Sequence, residues 1–296
     1  MDGRKWQDGL HQAVEAKELI PITAATGQAA RITVQSFYRE YSYLAGMTGT
    51  ALQAARELKK NYHLNVAPIP THKPCIRMGL RPRIFTTTQA KRDFVVSEIQ
   101  RLYESGRPVL VGTPSVEASE GLGELLKQKG IQHEILNAKF LEKEAEIVSK
   151  AGQPDRVTIA TNMAGRGTDI VLHDDVRRNN GLHVIATEMH SSARIDRQLI
   201  GRAARQGDPG SYQFVLSLED ELLRCLQPET LNRIRKQSQA VSGRKLPNSW
   251  LAFFRKTQAF LEKEHRKQRK NLLRQEKQRR ESYQKMGLDP FLELTE

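Results

Sequence analysis

The sequence predicts an α/β protein: a mainly parallel sheet with helices on both faces, followed by a long C-terminal helix. Three observations carry this. Short apolar runs alternate with helical patterns from residue 65 to about 226, and strands and helices alternating in this way build parallel sheets covered on both sides. Two turns that end apolar runs, G-T-P-S at 112–115 and the glycine-rich N-M-A-G-R-G-T-D at 162–169, have the make-up of ligand loops, which in such sheets lie beyond the carboxyl ends of the strands. Trp250, Leu261, Leu272 and Tyr283 recur every 11 residues through a dense lysine and arginine series. That spacing is close to three helical turns and marks one long helix, solvated on most of its girth.

In chain order, residues 6–18 carry the block W-Q-D-G-L-H-Q-A-V-E-A-K-E, 20–23 reads as a short β-like segment and 28–44 as a helical pattern. Its aromatic residues Phe37, Tyr38, Tyr41 and Tyr43 read as packing anchors. The small-residue loop A-G-M-T-G-T-A at 45–51 leads into a helix, and its glycines and threonines suit close approach of the backbone to a neighbouring element or a phosphate. The alternating part then reads as strands at 66–69 and 83–86, helix 89–105, strand 109–112, helix 115–129 and strand 132–136. Helix 140–150, strands 157–161 and 183–187, an arginine-bearing helix and strand 212–217 complete it. Residues 228–243 fit one helix and a turn, and Pro247-Asn248-Ser249 offers a fresh helix start.

The arginine-bearing stretch, Q-L-I-G-R-A-A-R-Q-G-D-P-G at 198–210, organises the rest. Ser191 or Ser192 suits a helix N-cap and Gly207-Asp208-Pro209-Gly210 a stop, so one helix of about three to four turns is expected between them. Gln198, Arg202 and Arg205 then fall at i, i+4 and i+7 on one face, with Ile195, Leu199 and Ala203 as the stripe that seats the helix on a core. Arginine presents a planar fork of donors that stays charged at physiological pH, which suits a phosphoryl group. In the 162–169 turn, amides at Gly165 and Gly167 are free to point at an anion, beside Arg166. Asp169 is placed either to accept from a ribose hydroxyl or to order an arginine. The three loops, 112–115, 162–169 and the end of the arginine helix, are expected to meet at the carboxyl edge.

At 296 residues the chain has room for roughly two domains. Its net charge of +13 implies acidic partners: nucleic acid, an anionic membrane surface or phosphorylated ligands. Cys75 and Cys225 are the two cysteines, far apart and in no C-x-x-C spacing, so neither a disulfide framework nor a zinc site is expected and a reducing cytoplasm is favoured. No apolar run approaches the roughly 18 residues needed to span a bilayer, so membrane contact is expected to be peripheral.

Several of these blocks, in this order, resemble the SecA preprotein translocase motor: residues 3–18, L-A-G-M-T-G-T-A at 44–51, L-N-A-K at 136–139, A-T-N-M-A-G-R-G-T-D-I at 160–170 and G-R-A-A-R-Q-G-D at 201–208. The resemblance implies a RecA-like lobe, the second, helicase-type lobe of a P-loop NTPase in which two lobes sandwich ATP. It implies a remnant of the preprotein-crosslinking region and first lobe at 1–64, the second lobe at 65–226 and the start of a basic helical scaffold at 227–296. Arg202 and Arg205 match the arginine-finger motif and are the implied catalytic residues. Asp169 matches a nucleotide contact and Arg166 a lobe-coupling position, with Gly165, Gly167 and Gln198 completing the implied nucleotide site.

Departures from the family weigh equally. The chain holds no G-x-x-x-x-G-K-[ST] loop and no Gly-Lys pair, so the phosphate cradle and its lysine are missing. Activity with ATP and magnesium is therefore expected only with a complementary first lobe. Ala203-Ala204 stands where the family usually has Ser-Gly, which bears on how the finger segment packs. Glu219-Asp220-Glu221 reads as a solvated helix start rather than a magnesium site. The implied partners are the Sec channel, preproteins, an anionic membrane surface and the missing first lobe, with nucleic acid disfavoured, at the cytoplasmic face of the membrane. The alternative is a non-enzymatic basic module that docks on a translocon, anionic lipid or nucleic acid.

Overall fold

The structure is a computed structural model that describes residues 10–22, 32–136, 144–161, 168–239 and 245–288. Its helices are α1 (Leu10–Lys17), α2 (Val34–Arg39), α3 (Ala55–Tyr62), α4 (Thr88–Glu104), α5 (Val116–Gln128), α6 (Glu144–Lys150), α7 (Asp174–Arg178), α8 (Ala193–Ile200), α9 (Pro228–Gln239) and α10 (Trp250–Lys285). Its strands are β1 (Met78–Gly79), β2 (Arg83–Phe85), β3 (Val109–Thr113), β4 (Glu134–Leu136), β5 (Val157–Thr161), β6 (Leu182–Ala186), β7 (Gly210–Ser217) and β8 (Lys245–Leu246).

The strands form one sheet in the order β4-β5-β3-β6-β7-β2-β8, with β1 also paired to β7. Pairing is parallel throughout except for β8, which lies antiparallel on β2 at the edge. Strands β3 and β6 are buried along their whole length, as strands inside a doubly covered parallel sheet must be. On one face, Val95, Ile99 and Leu102 of α4 and Leu122 and Leu126 of α5 pack on Val109, Val111, Val157, Ile159 and Ile185. On the other, Val148, Val176 and Leu199 from α6, α7 and α8 pack on Leu110, Ala160, Val184 and Ala186. Alternate residues of each strand thus serve opposite faces. A third cluster joins Ile84 and Leu216 of the sheet to Leu222, Leu223, Leu246 and the fully buried Phe254 of α10.

Capping accounts for several element starts. The Thr87 hydroxyl accepts from the Ala90 amide at 3.3 Å to open α4, and Ser115 accepts from Ala118 at 3.2 Å to open α5. Helix α8 is opened differently. The side chain of Ser192 makes no capping bond. Instead Glu262 of α10 accepts from the Ala193 amide at 2.8 Å and from the Ser192 hydroxyl at 3.2 Å, placing a carboxylate at the positive end of the helix.

Residues 47–59 and 65–267 form one compact unit, and residues up to 46, 60–64 and from 268 onward form another. In the second of these, Glu276 of α10 caps α2: it accepts from the Thr33 hydroxyl, from the Thr33 amide at 3.3 Å and from the Ser36 hydroxyl at 2.7 Å.

The structure corrects several expectations. Residues 66–69 are not a strand, because Pro68 and Pro70 offer no ladder donors and Ile69 is left exposed. Residues 20–22 are likewise irregular; position 23 lies outside the described residues. The helical pattern at 28–44 shrinks, among described residues, to α2. Helix α7 and strands β1 and β8 were not foreseen, each being too short to show periodicity. The 11-residue stripe holds only at its start: Leu272 is exposed, and the face that α10 buries runs through Phe254, Thr257 and Gln258.

One buried polar cluster ties the strand starts together and sets an acid limit on the fold. Arg107 donates to Gly181 O at 2.8 Å and to the Ser211 hydroxyl at 2.7 Å, and that hydroxyl lies 2.7 Å from His183 Nδ1. Burial, then the charges of Arg107 and Arg101, push the His183 imidazole down from 6.5 to about 3. A histidine whose folded pKa is depressed contributes stability that is complete above the ordinary value and is lost as pH falls toward the folded one. Lowering pH from 7 to 4 should therefore cost about 3 kcal/mol from this residue, at roughly 1.4 kcal/mol per pH unit below 6.5. Urea unfolding at both pH values tests this, with His183→Asn expected to show a much flatter pH dependence. Equal dependence in the variant would assign the acid lability elsewhere.

Candidate functional site

The arginine segment is not the long helix its sequence suggests. Helix α8 ends at Ile200, and Gly201 closes it by donating to the Arg197 and Leu199 carbonyls. The chain then turns through Ala204 (φ 53°), Gln206 (φ 53°) and Gly207 (φ 81°), all left-handed, before entering β7. Arg202 and Arg205 therefore sit on a turn, and the single helical face predicted for Gln198, Arg202 and Arg205 is not formed. The predicted stripe does seat the segment: Leu199 and Ala203 are buried. Two close approaches fix it there. A side chain at Gly112 would collide with Leu199, and one at Gly210 would come within 2.7 Å of the Ala204 amide. Left-handed backbone is costly for a residue with a Cβ. Position 204 is thus one where a glycine would fit without strain and alanine does not.

Asp169 orders the turn. Its carboxylate accepts from Arg205 Nη1 at 2.8 Å, from Gln206 Nε2 at 3.0 Å and from the Ile170 amide at 3.0 Å. Arg205 Nε also donates to Gly201 O at 3.1 Å. Partial burial pushes the Asp169 carboxyl up, but the Arg205 hydrogen bond and charge, the Gln206 bond and the Ile170 amide outweigh it and hold the group below the usual carboxylate range. The contact with Arg205 is what an aspartate that orders an arginine would make. Arg166, Gly165 and Gly167 lie outside the described residues.

Beside the turn is a cleft of about 620 Å³, lined by Thr48, Gly49 and Thr50 and by Arg77, Arg197, Gln198, Arg202 and Arg205. Residues 48–50 are thus brought to the arginine segment from more than 140 residues away in sequence, and four arginines line one concavity. Such an arrangement suits an anion with several oxygens, since arginine forks pair with phosphate in two-point fashion. Arg77, Arg197 and Gln206 were not foreseen. Gln206 directly follows Arg205 and was within reach of motif reasoning, but nothing in the spacing marks Arg77.

The expected meeting of three loops at the carboxyl edge is corrected. Helix α8 runs back across the sheet, and its turn delivers the chain to the start of β7, where Gly210 pairs with Leu182, the first residue of β6. The arginine turn therefore belongs to the amino edge, while 112–115 lies at the carboxyl edge with Thr187, Lys91 and Asp220, around a separate cavity of about 300 Å³. Asp220 is not a solvated helix start either. It is buried, pairs with the Lys91 ammonium and accepts from the Ser217 amide at 2.9 Å. Lys91 also donates to Thr187 O at 2.9 Å. Burial pushes the Asp220 carboxyl up, against the pull of Lys91.

A parallel sheet sandwiched between helical layers, with an arginine turn walling an anion-sized cleft, defines a RecA-like lobe of the P-loop NTPase class. The sequence profile of the SecA P-loop domain matches residues 74–179 and 172–243, and that of the SecA DEAD-like domain matches residues 3–59. The chain belongs to the SecA family. It is 48% identical over 296 residues to protein translocase subunit SecA 2 of Rhodopirellula baltica, covering 99% of this chain and 44% of that protein. It is 53% identical over 252 residues to the SecA subunit of Porphyromonas gingivalis, covering 85% of this chain and 23% of that one. The chain thus spans less than half the length of these relatives. Among solved structures it resembles the Escherichia coli DEAD-box protein SrmB bound to RraA, with a TM-score of 0.42 and 22% identity over 52% of this chain and 88% of that one. It also resembles Mss116p DEAD-box helicase domain 2 bound to an RNA duplex, with a TM-score of 0.39 and 20% identity over 50% and 56%.

Breaking a buried ion pair leaves one charge stranded, whereas replacing both partners by apolar groups removes the problem. Lys91→Met should therefore cost about 3–5 kcal/mol, and the double variant Lys91→Met, Asp220→Leu should recover most of it. Urea unfolding of the three proteins decides; a double variant no more stable than the single would mean that the pair supports the carboxyl edge by some other contact.

Proposed function

We propose that this chain supplies the arginine-finger lobe of a SecA-type ATP-driven protein translocase. The observation that carries the reading is the cleft in which Arg202 and Arg205 face the Thr48-Gly49-Thr50 loop, with Asp169 holding Arg205 in place. Residues 65–226 act as the second motor lobe, 227–296 as basic helical scaffold, and 1–64 as the part leading from the preprotein-crosslinking region and first lobe. The second lobe is completed by a first lobe that brings the phosphate loop.

In this reading the phosphates of ATP enter the cleft. Arg202 and Arg205 stabilise the charge that spreads over the transferring phosphoryl oxygens, and Gln198 lines the same wall. Arg166, Gly165 and Gly167 contribute from the loop before Asp169. In this reading the complementary lobe would bring magnesium ligands together with the phosphate loop, and no step is assigned to the ion here. By itself the chain neither hydrolyses ATP nor binds it tightly. Its partners are the Sec channel, preproteins and the anionic inner face of the membrane, with nucleic acid disfavoured, and it works peripherally from the cytoplasm. No helix among the described residues is long and apolar enough to cross a bilayer.

An arginine finger acts chiefly in the transition state, so its loss lowers turnover more than affinity. With a SecA first lobe supplied in trans, Arg202→Ala and Arg205→Ala should each lower kcat by about 10³-fold or more with little change in KM. Arg205→Lys should not rescue fully, because a point charge lacks the fork. Unchanged turnover in both alanine variants, with the fold intact by circular dichroism, sinks the assignment.

The exposed cations of α10, among them Arg255, Lys256, Lys263, Arg266 and Lys267, favour the membrane contact. Each lysine or arginine near an anionic bilayer is worth about 1 kcal/mol, and the attraction is screened by salt. The chain should cosediment with phosphatidylglycerol-rich vesicles at low ionic strength and be released by about 0.5 M salt, where the screening length is only a few ångströms. Binding that survives such salt would point to apolar insertion instead.

A further inference from the structure

We propose that Arg77 is a positioning residue that holds the arginine turn of residues 201–207, and with it the guanidinium groups of Arg202 and Arg205, in the geometry the cleft requires. The inference rests on the motor reading above for its functional consequence, and on the structure alone for the bracing.

The turn is not locally favoured. Ala204 and Gln206 both adopt left-handed backbone, and Gly207 follows in the same region. Such conformations persist only where the surroundings over-determine them. Asp169 restrains the Arg205 side chain, and Arg205 Nε and the turn's own amides hold the carbonyls of residues 199–201 and 205. At the centre of the turn the main chain is held from outside by Arg77, whose Nε donates to Ala203 O at 2.9 Å, the carbonyl immediately before left-handed Ala204. Arg77 is well anchored for this task. It directly precedes β1, where Met78 and Gly79 pair in parallel with Ser211 and Tyr212 of β7, the strand that the turn feeds. Brace and turn are thus fastened to the same strand end.

The position of Arg77 points the same way. With Arg205 it separates two clefts: the one lined by Thr48–Thr50, and another of about 620 Å³ lined by Thr71, Lys73 and Gly207. A guanidinium bound to a backbone carbonyl in that wall spends its Nε donor on bracing.

Two measurements on the full 296-residue chain test this, with Arg77→Met, which keeps the apolar stem but no donor, and Arg77→Lys, which keeps one donor. In Arg77→Met, amide hydrogen exchange across residues 202–208 should rise at least tenfold while β3 and β6 keep wild-type protection, and Arg77→Lys should stay within about threefold of wild type. With the SecA first lobe in trans, Arg77→Met should lower kcat at least tenfold with KM within about threefold, and lysine should restore most of it. Unchanged exchange in the turn overturns the bracing. A rise in KM at unchanged kcat overturns positioning, because Arg77 would then be an ordinary phosphate-binding cation. If the wild-type chain shows no turnover with the first lobe, the motor reading fails, and the exchange result alone decides whether Arg77 braces the turn.

Discussion

Strands β3 and β6 are buried from end to end, so water is excluded from both faces of the sheet and each face needs its own helical layer. That requirement governs the rest of the structure. A helix that covers a parallel strand must return antiparallel to it, and α8, packed through Leu199 onto Gly112 of β3, does so. Its last residues are thereby carried back to the start of β7. The arginines that follow α8 occupy the amino edge of the sheet because the core placed the helix, and the helix ends where the next strand must begin.

The long helix α10 satisfies polar groups that this arrangement would otherwise strand. Glu262 meets the open amide of α8. Gln258 donates to Asp196 at 2.6 Å and to the His190 carbonyl at 2.7 Å, and Asp196 accepts from the His190 amide at 2.9 Å. Buried polar groups left unpaired are expensive, so a connected network of this kind favours one seating of α8. The basic series on α10 is a property of its solvated side; the buried side, with Phe254, Thr257 and Gln258, binds it to the sheet. One helix thus serves as core element, cap and charged surface, and its sequence carried no sign of the capping.

Charge is handled by two different means at the two edges. At the carboxyl edge Lys91 and Asp220 neutralise each other out of water, an arrangement that fixes geometry rather than inviting a ligand. At the amino edge, four arginines surround a cleft with Asp169 as the carboxylate on the turn, leaving a positive excess open to solvent. That contrast is what favours the amino-edge cleft over the sheet's carboxyl edge in the proposed reading.

The alternation of apolar runs and helical patterns was enough to determine the parallel α/β class, the face-covering helices α4 and α5, and the single long helix, because each depends on burial patterns repeated over many residues. The family, too, was legible in short motifs whose residue types are tied to chemistry: the 45–51 loop, Asp169, and the Arg202 and Arg205 pair. What the sequence could not determine was decided by contacts distant along the chain. Gly201 and the three left-handed residues after it ended α8 early, for a helical stripe in sequence carries no record of the strand the chain must next join. Proline 68 and 70 removed a strand that composition suggested. Asp220, read as solvated, became buried because Lys91 came to meet it from 129 positions away, and Arg77 acquired its place only because β1 and the arginine turn converge on the same end of β7. Local pattern sets which elements form; the closing of the sheet sets where their ends, and therefore their charges, come together.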